Sequence, residues 1–69
     1  MSEKFVPAKL TDEEVDKLST PEERAACNRY KRVQRDAMEN GYMGETDTLI
    51  ASEAIGILVA RNKRLGLIP

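Results

Sequence analysis

TLIASEAIGILVA, residues Thr48 to Ala60, is the one long concentration of large aliphatic side chains in this chain, and its reading decides the fold. On an ideal helix, at about 100° per residue, Ile50, Ala51, Ala54, Ile55, Ile57, Leu58 and Val59 fall within an arc of roughly 200°, joined about two turns later by Leu65. Ser52, Glu53, Gly56, Lys63 and Arg64 fill the remaining arc, with Leu49 and Ala60 beside them. An ordinary surface helix carries an apolar stripe of about 100° or somewhat more. A helix with this much apolar face needs two neighbours, supplied by the chain's own N-terminal part or by a second copy. A membrane span takes about 20 apolar residues; this run is shorter and carries Glu53 in its middle, which excludes the membrane. Ile55 to Val59 would also suit a strand, but no second strand-like run exists to pair with it.

Immediately before this helix, Gly41-Tyr42-Met43-Gly44 turns the chain. Thr46 or Asp47 is placed to cap the helix, and Glu45 and Asp47 suit its positive end. Tyr42 and Met43, on a glycine-flanked loop, either present a contact to a partner or fold back over the open end of a hairpin. After the helix, Arg61, Lys63 and Arg64 suit the last turn and Gly66 the terminator. Leu67, Ile68 and Pro69 then form an apolar tail that belongs against the core or a neighbour.

Further back, the segment Pro21 to Asn40 reads as a long helix with Gly41 as its C-terminal stop. Thr20, Pro21 and Glu23 give it an N-cap, a first-turn proline and a capping box. Ala26, Tyr30, Val33 and Ala37, spaced by four, three and four residues, form the seam of an antiparallel helix pair. Opposite them runs a polar stripe of Arg24, Asn28, Lys31 and Arg35, with Arg32 at its edge. The stripe either holds phosphate or an acidic partner, or is a solvated face in which Arg32 pairs with Asp36 and Arg35 with Glu39 at i,i+4. The solvated face is the expectation. Leu10 to Leu18 reads as a short first helix, with Thr11 and Glu14 as a second capping box and Leu10 and Val15 as a hydrophobic staple. Residues 1–9 have no periodicity, Pro7 forces extended geometry on Val6, and the segment is expected to be a flexible arm.

The fold expected is therefore all-α: a short N-terminal helix, a long helix over about Pro21 to Asn40 and a third over about Asp47 to Arg64, the last two forming an antiparallel hairpin. Residues 10–69 make one small helical domain. Sixty-nine residues bury only about 60% of their unfolded surface, so oligomerisation or a partner is the expected supplement to stability.

Chemistry is limited by what is missing. With no histidine and one cysteine, the chain has no imidazole base, no internal disulfide and no usual structural zinc set. Cys27 sits at the border of the second helix's seam and reads as a packing residue. The paired carboxylates Glu13–Glu14 and Glu22–Glu23 lie in helix first turns, where capping and the helix dipole account for them. No phosphate loop, metal-ligand spacing or nucleotide motif occurs, so no cofactor and no catalysis are expected. The formal charge of −1 conceals an asymmetry: seven of twelve acids precede Arg24, and eight of eleven bases lie from Arg24 onward. A helix-turn-helix reading fails, because its recognition helix would lead either with Glu22 and Glu23 or with the aliphatic third helix. The absence of a signal-peptide pattern and the lone cysteine favour the cytoplasm.

In a general way the small size, missing catalytic residues and strong capping resemble the accessory proteins of phages and mobile elements, which bind and block a host protein. That resemblance and the residue-level reading lead to one expectation: a non-enzymatic module that binds a larger protein and regulates or inhibits it. Arg24, Lys31, Arg32, Arg35, Tyr42 and Met43 are its candidate contacts. The alternatives are a sequence-indifferent nucleic-acid contact through the basic helix face, and a small structural or assembly subunit. Self-association as a homodimer is expected through the third helix. Either Ile55 and Val59, at one edge of its apolar arc, or Ile50 and Ile57, at the other, meet their copies, with Leu67 and Ile68 closing the contact.

Overall fold

Two threonines decide where the first two helices begin. The computed structural model describes residues 4–69. In it, the Thr11 hydroxyl accepts a hydrogen bond from the Glu14 N–H (3.1 Å), while the Glu14 carboxylate accepts one from the Thr11 N–H (3.1 Å). Helix α1 follows, Asp12–Leu18. Thr20 and Glu23 repeat the arrangement at 3.2 and 2.9 Å and open α2, Pro21–Asn40, with Pro21 where its missing N–H costs nothing. Each capping box satisfies two backbone donors that a helix start otherwise leaves to water. The staple residues Leu10 and Val15 are both half-buried.

Gly41 ends α2 in the left-handed conformation (φ 80°), and its N–H bonds the Ala37 carbonyl at 2.8 Å. The third helix, α3, spans Glu45–Arg64. Its start corrects the expectation: the N-cap is Gly44, and Thr46 and Asp47 lie inside the first turn. Glycine is acceptable at an N-cap, and starting there gains backbone hydrogen bonds such as Thr48 N–H to the Gly44 carbonyl (2.9 Å). The Thr48 hydroxyl donates to that same carbonyl at 2.9 Å. At the other end Gly66 (φ 77°) completes a Schellman motif. Its N–H bonds the Lys63 carbonyl at 3.2 Å, and the Leu67 N–H reaches back to Asn62 at 2.8 Å. The motif turns the tail back, and Leu67 and Ile68 end half-buried.

The architecture is all-α, and the dominant packing is the antiparallel hairpin of α2 against α3. Its centre is built from small side chains: Ala26 and Ala54 are completely buried, and Val33 and Ala51 nearly so. Tyr30 and Ala37, the other seam residues, are half-buried. Among the described residues no large side chain is fully buried, so the hairpin rests on close helix approach rather than on a thick core. At 44 × 30 × 17 Å the molecule is thin. A helix with its side chains is about 10–12 Å across, so one layer of helices accounts for most of the shortest dimension.

The apolar arc of α3 is consequently covered on one side only. Ile50, Ile57, Leu58 and Leu65 are half-buried, whereas Ile55 and Val59 remain 43% and 38% exposed. The arm expected over residues 1–9 includes residues 1–3, which lie outside the described residues. Of the remainder, Phe5 and Val6 are exposed, and the Ala8 N–H is fixed to the Gly66 carbonyl at 2.9 Å. No helix among the described residues is long and apolar enough to cross a membrane.

Candidate protein-binding surface

The two ends of the hairpin differ in chemistry. At the end where α2 begins and α3 stops, Glu23 is buried beneath the first turn of α2 and does two things. Its carboxylate closes the Thr20 capping box and also accepts a hydrogen bond from the Arg64 guanidinium of α3. Arg64 donates in addition to the Leu18 carbonyl at 3.3 Å, so α1, α2 and α3 meet on one side chain. The Thr20 N–H, opposed in part by burial and aided by Arg64, holds the Glu23 carboxyl below its ordinary value. Nearby, Arg24 Nε bonds the Asp16 carbonyl at 3.1 Å and lies 3.9 Å from the Asp16 carboxylate. Ser19, buried between the helices, donates to the Val15 carbonyl at 2.6 Å.

At the loop end the side chains are apolar and exposed. Met38 (84%), Tyr42 (72%), Leu49 (66%) and Met43 (40%) all face water. Tyr42 therefore projects from the hairpin, whereas the less exposed Met43 lies against it, beside residues of both α2 and α3. Met43, Glu45, Thr48 and Leu49 line one shallow groove of about 400 Å³. A second groove, of about 310 Å³, continues from Met43 and Thr48 along α3 to Ala51, Ser52 and Ile55, with Tyr30 of α2 as its far wall. The side chain of Gln34 donates to the Tyr30 hydroxyl at 3.3 Å, giving that wall a polar tip.

The basic candidates do not join this surface as a group. Arg24 sits in the first turn of α2, and a helix of 20 residues is about 30 Å long, so it stands near the opposite end from Tyr42. Arg24 and Lys31 instead line a cleft of about 440 Å³ with Asp12, Asp16, Cys27 and Arg61. Cys27 is half-buried in its wall. Arg32 and Arg35 are exposed further along α2. The i,i+4 pairs expected for them, with Asp36 and Glu39, are not formed among the described residues. The side chains of Asp36 and Glu39 leave both arginines free toward solvent. Of the six candidate contacts, the fold groups Tyr42 with Met43, and Arg24 with Lys31.

Sequence reasoning passed over Met38 and Leu49. A signal for Leu49 was present: it falls outside the apolar arc of α3, among polar neighbours, where a large aliphatic has no burial to explain it. Met38 stands four residues before Tyr42, exposed in the last turn of α2 at the same end of the hairpin. Among the described residues no cluster of three or more Asp, Glu or Cys side chains is placed to hold a metal ion. The chain matches no protein family, no curated protein and no solved structure.

Proposed function

We propose that this chain is a non-enzymatic, cytoplasmic, homodimeric module that binds a larger protein and regulates or inhibits it through the loop end of the hairpin. The observation that carries this reading is the gathering of Met38, Tyr42, Met43 and Leu49, all exposed, at one end of a molecule whose other end is closed by polar contacts. Tyr and Met are enriched where protein interfaces are buried, and methionine adapts its shape to a partner. Burying one such side chain is worth about 1.5 to 3 kcal/mol, which gives a partner a reason to settle there. Arg32 and Arg35, without acidic partners on their own helix, supply a positive rim that speeds encounter with an acidic protein. This mode of action is the one suggested by the general likeness to accessory proteins of phages and mobile elements.

Affinity capture from a lysate tests the reading. The wild type retains a specific protein; Tyr42→Ala loses it, at the cost of about 2 kcal/mol or more typical of a central aromatic contact. Arg32→Glu slows association with a smaller change in affinity. Failure of the wild type to retain any protein removes the proposal. The unpaired Arg32 and Arg35 also favour a second reading, sequence-indifferent contact with nucleic acid. A mobility shift that appears at low salt and weakens steeply as salt rises supports it, and no shift at low salt excludes it.

A further inference from the structure

The face of α3 turned away from α2 carries at each end a charge that suits the helix dipole and, between them, a glycine that the monomer does not explain. Glu45 and Lys63 are 18 residues apart, five turns at about 3.6 residues each, so they project along one line. Both are exposed, and neither has an ion-pair partner among the described residues. Between them on the same face lie Leu49, Ser52, Gly56, Val59 and Ala60, all exposed. Gly56 is in the middle of the helix, where glycine is destabilising relative to alanine, yet a Cβ placed there meets nothing within 4 Å. Packing within one chain gives no reason for it.

We infer that this face pairs with the same face of a second copy, the two α3 helices antiparallel about a two-fold axis level with residue 54. The charges choose the occupant and the direction. A parallel pair sets Lys63 beside Lys63 and Glu45 beside Glu45; the antiparallel pair sets each Glu45 against the second copy's Lys63, twice by symmetry. The pairs 45/63 and 52/56 share the midpoint 54, so the same register that joins the charges brings Ser52 level with Gly56, where small side chains let the helices approach. Leu49 then stands against Ala60, a large side chain against a small one, and Ile55 and Val59 are covered from the side. The interface is one helix wide, well below the roughly 800 Å² per partner of stable complexes, so the dimer dissociates in the micromolar range or above. The inference rests on the homodimer of the proposed function; it shares Leu49 with the loop-end surface and leaves Met38, Tyr42 and Met43 outside the contact.

Sedimentation equilibrium on the full chain, with circular dichroism confirming that each variant is folded, tests it. The wild type forms a dimer at submillimolar concentration, and Gly56→Arg is a folded monomer. Glu45→Lys and Lys63→Glu each weaken the dimer about tenfold, since each reversal converts two attractions into repulsions, and the double reversal restores it. A wild type that stays monomeric overturns both this inference and the homodimer, leaving capture of a larger protein to be judged by Tyr42→Ala. A folded Gly56→Arg that remains a dimer overturns the α3 interface alone. If Gly56→Arg is monomeric but the double reversal does not restore association, the antiparallel register is overturned.

Discussion

The closed and open ends of the hairpin are made from opposite materials. Where α2 begins and α3 stops, Glu23, Arg64, Thr20 and the Leu18 carbonyl form a network spanning more than forty residues of sequence, and the Ala8–Gly66 backbone bond fixes the arm beside it. Where α2 passes into α3, the chain itself makes the connection, Gly41 and Gly44 form the turn, and the side chains present are Met38, Tyr42, Met43 and Leu49, facing water. The difference separates two tasks. Covalent continuity holds the loop end together whatever its side chains are, which leaves them available to a partner. At the other end three chain segments must be held by side chains, and those are committed to the fold.

The largest expected effect tests whether stability resides away from the loop. Ala26, in the second turn of α2, has no exposed surface, so Ala26→Leu forces the helices apart and costs about 1–3 kcal/mol. Against the roughly 3–5 kcal/mol that a core of this size supplies, that is a large fraction. Tyr42→Ala, on the loop, changes stability by no more than about 0.5 kcal/mol. Urea unfolding of both variants checks the contrast, and equal losses would break it.

A smaller effect sharpens the comparison at the helix starts. Thr20→Ala removes half of a capping box and costs about 1 kcal/mol. Thr46→Ala costs no more than about 0.5 kcal/mol, because α3 is capped by Gly44 and Thr46 is an exposed first-turn residue. Thermal unfolding of the pair decides. If Thr46→Ala proves as damaging as Thr20→Ala, the threonine would be the cap after all.

The same contrast explains what was legible in the sequence. The starts of α1 and α2 were readable because a capping box is a local contract: Thr11 with Glu14 and Thr20 with Glu23 are each three residues apart, and nothing distant alters the bond. Gly41 and Gly66 were readable as stops for the same reason. The start of α3 was misplaced because Gly44 caps with its backbone alone, which leaves no side-chain signature, while Thr46 and Asp47 advertise a cap they do not form. The apolar arc of α3 was visible at its full width, but which edge stays open, Ile55 and Val59 rather than Ile50 and Ile57, depends on how the helices pack. Of the candidate site, Tyr42 and Met43 were found through the glycines around them. The separation of Arg24 from that loop follows from the length of α2, whereas the second role of Glu23, toward Arg64, depends on a contact 41 residues away that local spacing does not encode.

The smallest expected effect is titration of that contact. The Thr20 N–H and the Arg64 guanidinium both favour the charged form of Glu23 and hold its folded pKa below the ordinary 4.5. Unfolding releases both donors and returns the group to that value, so near and just below 4.5 the unfolded chain binds more protons than the folded one. The stabilisation from Glu23 is therefore fully present above 4.5 and is lost as pH falls through the lower folded value. The contribution of Glu23 is isolated by comparing the wild type with Glu23→Gln, whose neutral amide oxygen keeps an acceptor for Thr20 but does not ionise. The wild type is the more stable at neutral pH, and thermal melting shows its advantage shrinking as acid is added below 4.5. Arg64→Gln, by removing one of the two stabilising donors, moves the wild-type loss toward higher pH. A wild-type advantage that is unchanged across this acid range would mean that the closed end is held by the capping hydrogen bonds and helix packing alone, and that the ion pair between α2 and α3 adds nothing to it.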